Sequence, residues 1–182
     1  VTELSAADQL ERFRREGALF QGPSFNTISG YGAHGAIVHY AADARSNARL
    51  RPRGLYLIDS GGSYLDGTTD ITRTVTLGRP TPRQKEMFTR VLKGMIGVAA
   101  ARFPAGTSGQ RLEMFARQAL WAAGYNYGHG TGHGVGHYLS VHEGPMGRTP
   151  KDLRNVPLVP GNLLSIEPGY YQAGAFGIRI EN

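Results

Sequence analysis

The chain contains no cysteine, which rules out disulfides, thiolate metal ligands and a catalytic thiol, and fits a reducing compartment. Long apolar runs are also missing. "MIGVAAA" (95–101) is far too short to span a bilayer, and the opening "VTELSAADQLERFRREG" is charged and lacks a signal-peptide core. Lysine is scarce: only Lys85, Lys93 and Lys151 stand beside 17 arginines, in a chain of formal net charge +6. Those arginines are scattered and no run of five like charges occurs, so they read as a solvated surface, not a nucleic-acid tract. Low-complexity segments and usable repeats are absent. What remains is a chain of 182 residues, 40% apolar, the size of one globular domain with a sizeable core. It opens on Val, not Met, and is expected to be a piece of something longer.

Periodicity and punctuation predict a mixed α/β (α+β) domain with substantial antiparallel pairing. A helix is predicted over 5–16, with Ser5 as N-cap, Leu10 and Phe13 inward, and Gly17 as stop. "QGPSFNTISGYGAHG" reads as loop and "AIVHYAA" (36–42) as a strand bearing His39. "GLYLIDSG" (54–61) and "TDITRTVTL" (69–77) read as two strands joined through the Asp66-Gly67 turn. Two helices follow. One is capped by Thr81-Pro82 with Phe88, Val91, Leu92, Met95 and Val98 in helical period, and the other spans 108–124. "NLLSIEPGYY" (162–171) and "FGIRIEN" (176–182) read as further strands.

The histidines are concentrated. Four of the six, His129, His133, His137 and His142, fall in "YGHGTGHGVGHYLSVHEG" (127–144), threaded with glycine. Each interior glycine costs a helix roughly 1 kcal/mol against alanine, so a helical zinc site is excluded and H-E-x-x-H is missing as well. An extended or looping backbone remains, with a solvated flexible loop as its bland version. Four carboxylates, Asp59, Asp70, Glu167 and Glu181, stand at the ends of predicted strands, where a carboxylate is costly unless exposed or bound. Singly each reads as a surface acid; together, beside a histidine-rich loop, they favour a metal centre. Four crowded carboxylates repel, and two divalent cations would cancel the charge. Oxygen-rich ligation with one imidazole suits Mn²⁺ better than a thiolate-type zinc site, and a paired-ion centre points to hydrolysis.

The blocks "LIDSGGSYLDGTTDITRT", "HGTGHGVG", "VHEGP", "IEPGYY" and "GIRIEN", in that order and spacing, resemble the pita-bread metallopeptidases. Within that family they resemble the cytosolic-type Xaa-Pro aminopeptidases, from about Thr2 to the last residue. The resemblance implies a pita-bread fold, a pseudo-twofold antiparallel sheet flanked by helices. It implies a partial catalytic domain over 1–182, without the N-terminal domains of such enzymes and stopping one residue past the fifth ligand. A fraying Glu181 and incomplete metal loading are expected on that ground. Asp59, Asp70, His133, Glu167 and Glu181 match the ligands of two divalent ions, expected to be Mn²⁺ with Zn²⁺ or Co²⁺ as alternatives, and Asp70 and Glu181 match the bridging pair. By the same resemblance Glu167 is the general base and then acid, His142 a proton-shuttling or oxyanion histidine, and Arg179 an orienting arginine. His129 and His39 match substrate-site histidines, and His142 also faces substrate. His137 matches nothing. The implied activity is cytoplasmic hydrolysis of the first bond of Xaa-Pro peptides. A second copy of the chain is the one protein partner considered, and neither nucleic acid nor membrane is expected. A prolidase acting on dipeptides and an inactive pita-bread binding module stay open as alternatives.

Overall fold

A computed structural model describes residues 1–145 and 156–182. The first helix, α1 (Glu3–Arg15), starts earlier than predicted. Its N-cap is Thr2, whose hydroxyl accepts from Ser5 N–H while the Ser5 hydroxyl caps the Thr2 N–H in return. Phe13 is 59% exposed, and the buried member of α1 is Glu3.

The segment read as loop holds two short strands, β1 (Phe20–Pro23) and β2 (Ile28–Tyr31). The expected strand over 36–42 is a 3-10 turn (Gly32–Ala36) followed by irregular chain. Gly35 lies against other backbones there: a Cβ placed on Gly177 would sit 1.7 Å from Gly35 O. Such a contact admits only glycine, and it holds the segment out of any sheet.

The two central strands match expectation. β3 (Leu55–Ser60) pairs antiparallel with β6 (Ile71–Thr76), Asp59 opposite Thr72 and Ser60 opposite Ile71. Their connection makes its own hairpin, β4 (Gly62–Tyr64) and β5 (Gly67–Thr68), which joins β1 in a second three-stranded sheet, and β2 completes the first sheet in the order β2-β3-β6. Near the end of the chain β7 (Gly169–Gln172) and β8 (Phe176–Arg179) form a two-stranded hairpin, so Glu167 and Glu181 flank its strands without belonging to them.

Helix α2 (Pro82–Ala99) begins with a complete capping box, Thr81 with Gln84, and turns Met87, Val91 and Gly94 inward. α3 (Gly109–Trp121) packs so closely that a Cβ on Gly94 would lie 2.1 Å from Ala116 O. Met87, Val91 and Leu120 meet Leu55, Tyr127, Tyr170, Phe176 and Ile178 in one core. Burying each such side chain stabilises the fold by about 1.5–3 kcal/mol, and this core fixes the β7–β8 hairpin against both helices. No helix of the described residues is long and apolar enough to cross a membrane.

Candidate metal centre

Strand alternation places Asp70, Thr72 and Thr74 on one face of β6, and the pairing of Asp59 with Thr72 brings Asp59 to the same face. Thr72 and Thr74 are buried. The Thr74 hydroxyl donates to Arg179 O (2.9 Å) and draws β8 over this face. Arg179 is itself buried, and its Nη2 donates to Asp59 Oδ2 (2.8 Å) while its Nε donates to Thr72 Oγ1 (3.0 Å). The Thr72 hydroxyl in turn donates to Glu181 Oε2 (2.7 Å). One hydroxyl therefore aims an arginine and a carboxylate at once.

The glycine-rich loop arrives from the opposite side. Its backbone is extended against residues 164–167: Ser165 N–H donates to His133 O (2.8 Å) and Glu167 N–H to Thr131 O (2.6 Å). A Cβ on Gly132 would lie 2.0 Å from Ser165 O, which is why this ladder needs glycine. The loop is therefore neither a helix nor a free solvated segment. From behind, α3 grips it. Arg117 donates to Tyr127 O and His129 O, each at 2.8 Å, and Glu113 Oε1 accepts from Thr131 N–H (3.2 Å).

His133 Nδ1–H donates to Gly134 O (2.9 Å), which leaves Nε2 directed at Asp70 Oδ2 (3.2 Å) and Glu167 Oε1 (3.3 Å). Three groups result whose ligand atoms lie within 4.8 Å of one another: Asp59, Asp70 and Glu181; His133, Glu167 and Glu181; and Asp70, His133 and His142. Asp70, His133 and Glu181 each belong to two of them. His142 stands against the cluster, its ring 4.3 Å from that of His133.

The electrostatics are those of negative charge confined out of water. Burial pushes the Asp59 carboxyl up to about 6, opposed by Arg179 and aided by Asp70. Burial likewise raises Glu167 to about 7, against His133 and Arg179. Glu181 rises to about 9 through burial and the charges of Glu167, Asp59 and Asp70. His133 is also raised to about 9, because hydrogen bonds to Asp70 and Gly134 O and the charge of Glu167 outweigh its burial. Among the described residues, the buried oxygens Asp59 Oδ1 and Glu181 Oε1 accept no hydrogen bond. Buried carboxylate oxygens without donors are expensive unless a cation meets them, and a carbonyl-oriented imidazole completes an oxygen-rich donor set. The residues fit a pair of divalent ions.

A pocket of about 830 Å³ opens on the cluster, and His39, His129 and His142 line it together with Asp59, Asp70 and Glu167. His129 has both ring nitrogens engaged: Nδ1–H donates to Gly130 O (2.7 Å) and Nε2 accepts from the Tyr171 hydroxyl (2.8 Å), which itself receives Arg179 Nη1–H (2.9 Å). Burial lowers its pKa to about 4. His137 is exposed and outside this pocket. The expected fraying at Glu181 meets a different arrangement. Ile166 and Asn182 exchange backbone hydrogen bonds (2.8 and 3.3 Å), Glu181 N–H reaches Thr72 O (3.4 Å), and Arg73 Nη1 donates to Glu181 O. Thr72 and Tyr171 were not singled out from sequence. The period-2 pattern of "DITRT" carried the signal for Thr72, and "GYY" gave none for a hydroxyl whose histidine partner lies 42 residues away.

Comparison with known proteins gives a consistent result. The model of metallopeptidase family M24 matches residues 1–182. A probable Xaa-Pro aminopeptidase P of Sordaria macrospora is 55% identical over the whole chain and one of Aspergillus flavus 54%. The chain spans only 30% and 28% of these curated relatives. X-prolyl aminopeptidase of Caenorhabditis elegans, described as a cytosolic enzyme with a di-nuclear active site, superposes with a TM-score of 0.93 at 43% identity, over 100% of this chain and 29% of that one. The prolidase of Pyrococcus furiosus superposes with a TM-score of 0.84 at 29% identity, over 99% and 51%.

Proposed function

The chain belongs to metallopeptidase family M24, and from that premise we propose that it forms the catalytic centre of a dinuclear metallo-aminopeptidase that removes the first residue from Xaa-Pro peptides. One observation carries this reading: Asp59, Asp70, His133, Glu167 and Glu181 converge in the pita-bread fold with two buried carboxylate oxygens unmet by any described donor. Asp59, Asp70 and Glu181 would hold one ion and His133, Glu167, Asp70 and Glu181 the other, with Asp70 and Glu181 shared. Mn²⁺ is the ion we favour, because the donors are four carboxylates and one imidazole. Bound, such ions supply Lewis acidity and an acidified water at neutral pH.

The chain's own residues do the rest. Glu167, a half-buried carboxyl beside His133, takes the proton of the attacking water and returns it to the leaving prolyl nitrogen. His142, at the pocket face of the cluster, donates to the oxyanion as the carbonyl becomes tetrahedral. Arg179 holds Asp59 and, through Thr72, Glu181 in register. His129 is fixed by its two hydrogen bonds as a neutral wall of the substrate site, and with Arg179 it orients Tyr171. His39, beside the apolar Val38 and Phe25, bounds the space offered to the proline ring. A prolyl amide has no N–H, so the site need not supply an acceptor for it. A cytoplasmic setting agrees with the absence of cysteine. The test is hydrolysis by the Mn²⁺-loaded chain of Xaa-Pro-Xaa, Xaa-Ala-Xaa and Xaa-Pro substrates. Cleavage of the first class alone supports the reading, preference for the dipeptide transfers it to prolidase, and cleavage of none makes the domain a binding module.

A further inference from the structure

Glu3 stands at the first helical position of α1 and is 0% exposed. A carboxylate held out of water is destabilising unless donors meet its oxygens. Four do. Tyr31 N–H (2.7 Å) and His34 Nδ1–H (2.9 Å) donate to Oε1, and Ala48 N–H (2.8 Å) and the Tyr40 hydroxyl (3.2 Å) donate to Oε2. Its backbone is held too: Glu3 N–H donates to Ala48 O (3.0 Å) and the Ser29 hydroxyl to Glu3 O (2.8 Å). These partners come from β2, the 3-10 turn, the irregular segment after it and the chain around residue 48. Regular strand or helix pairing does not tie those last segments together.

The segment so held is a wall of the pocket. The His34 and Tyr40 rings stack at 4.4 Å and 24°. Ile37 N–H donates to His34 O (3.0 Å) and Tyr40 N–H to Ile37 O (3.1 Å), so residues 34–40 form two linked turns. Val38, His39 and Tyr40 face the space that Asp59, Asp70 and Glu167 share. On its other side the turn is pressed against β8 at Gly35 and Gly177, which leaves it no room to relax in that direction. Displacement of the Glu3 contacts therefore moves the wall, while the metal cluster keeps its supports on β3, β6, β8 and the glycine loop and shares with the wall the contact of Arg179 Nη1 with Val38 O (3.5 Å).

We infer that Glu3 is a positioning residue for peptide recognition: it fixes the His39 wall of the pocket without touching substrate or metal ligands. This rests on the reading of that wall as the substrate side of an Xaa-Pro peptidase. Glu3→Gln tests it, because the amide keeps one oxygen for Tyr31 and His34 but turns an NH₂ toward the Ala48 N–H and the Tyr40 hydroxyl. With the metal-loaded chain, KM for an Xaa-Pro-Xaa peptide is expected to rise about tenfold while kcat and metal content stay within about twofold, as removal of substrate positioning alone requires. In the double variant with His39→Ala the Glu3→Gln effect on KM is expected to vanish. An unchanged KM, an equal loss of kcat and metal, or additivity with His39→Ala overturns the inference. Should Glu3→Gln fail to fold, Tyr40→Phe removes one of the four donors, and KM is expected to rise about threefold, a result that an unchanged KM contradicts. If the unsubstituted chain cleaves no Xaa-Pro peptide, the functional reading fails separately. The His39 ring resonances in a ¹⁵N-histidine sample then decide: a shift in Glu3→Gln supports the anchor and an unchanged spectrum refutes it.

Discussion

Thr72→Val replaces a buried hydroxyl by a methyl group of the same shape. The backbone ladder of β6 with β3 is untouched, since Thr72 pairs with Asp59 through its main chain. What is lost is the hydrogen bond accepted from Arg179 Nε (3.0 Å) and the one donated to Glu181 Oε2 (2.7 Å). Both partners are buried and Arg179 is charged, so each lost bond is worth about 0.5–3 kcal/mol. Arg179 keeps its Asp59 and Tyr171 contacts, so most of the loss falls on Glu181, whose other oxygen already lacks a donor. Without metal, the Glu181 carboxyl is expected to turn and to weaken the fold by about 2–4 kcal/mol, a Tm fall of roughly 4–16 °C for a chain of this size. With metal, loss of an orienting partner typically weakens binding ~10–100-fold, and the effect should appear in the weaker of two sites. Competition titration with a fluorescent chelator reads both steps. Two ion affinities within twofold of the unsubstituted chain, in a folded Thr72→Val variant, refute the argument that this hydroxyl aims Glu181.

His142→Ala is expected to retain both ions and to lose turnover by ~10²–10⁴, the usual scale for a proton-transfer or oxyanion group, while His137→Ala changes little; steady-state assays beside metal analysis compare them. Gly132→Ala forces a Cβ to 2.0 Å from Ser165 O and should part the ladder that seats His133 and Glu167, lowering stability by about 1–3 kcal/mol with loss of metal, as read by denaturant titration and elemental analysis. The metal-free chain should be most stable in mild acid. Asp59, Glu167, Glu181 and His133 all have folded pKa values raised above their ordinary ones, so the folded state binds extra protons. That stabilisation is complete below the unfolded values and is lost as pH climbs through about 6 to about 9. Thermal melts in chelator between pH 5 and 9 should show Tm falling with pH, and a rising or flat profile counts against the buried cluster.

Much of the site was legible because its signals are local. Asp59 and Asp70 end and precede strands whose β-branched, alternating residues fix the face they share, and glycine threaded between histidines excludes a helix on propensity alone. Errors fell where distant contacts decide. "AIVHYAA" has the composition of a strand, yet Gly35 against Gly177 and the bonds to Glu3 hold it as turns, contacts that span up to 142 residues of chain. β1 and β2 are four residues each and contain Gly, Pro and Ser. They are strands because β4 and β3 offer open edges to them, not through propensity. Phe13 kept helical period with Leu10 but meets solvent, while the acid Glu3 is the buried member of α1. A fully buried glutamate has no sequence signature, since only its donors from β2 and residues 34, 40 and 48 make it tolerable.

The most direct test of the paired-metal centre is a count of ions. Purified chain loaded with excess Mn²⁺, freed of unbound metal and analysed by elemental mass spectrometry, is expected to carry two ions, with an exchange-coupled pair in the electron paramagnetic resonance spectrum. Asp70→Ala, which removes a carboxylate common to two of the three ligand groups, is expected to carry none. A single ion in the unsubstituted chain, or full loading of Asp70→Ala, would contradict the account.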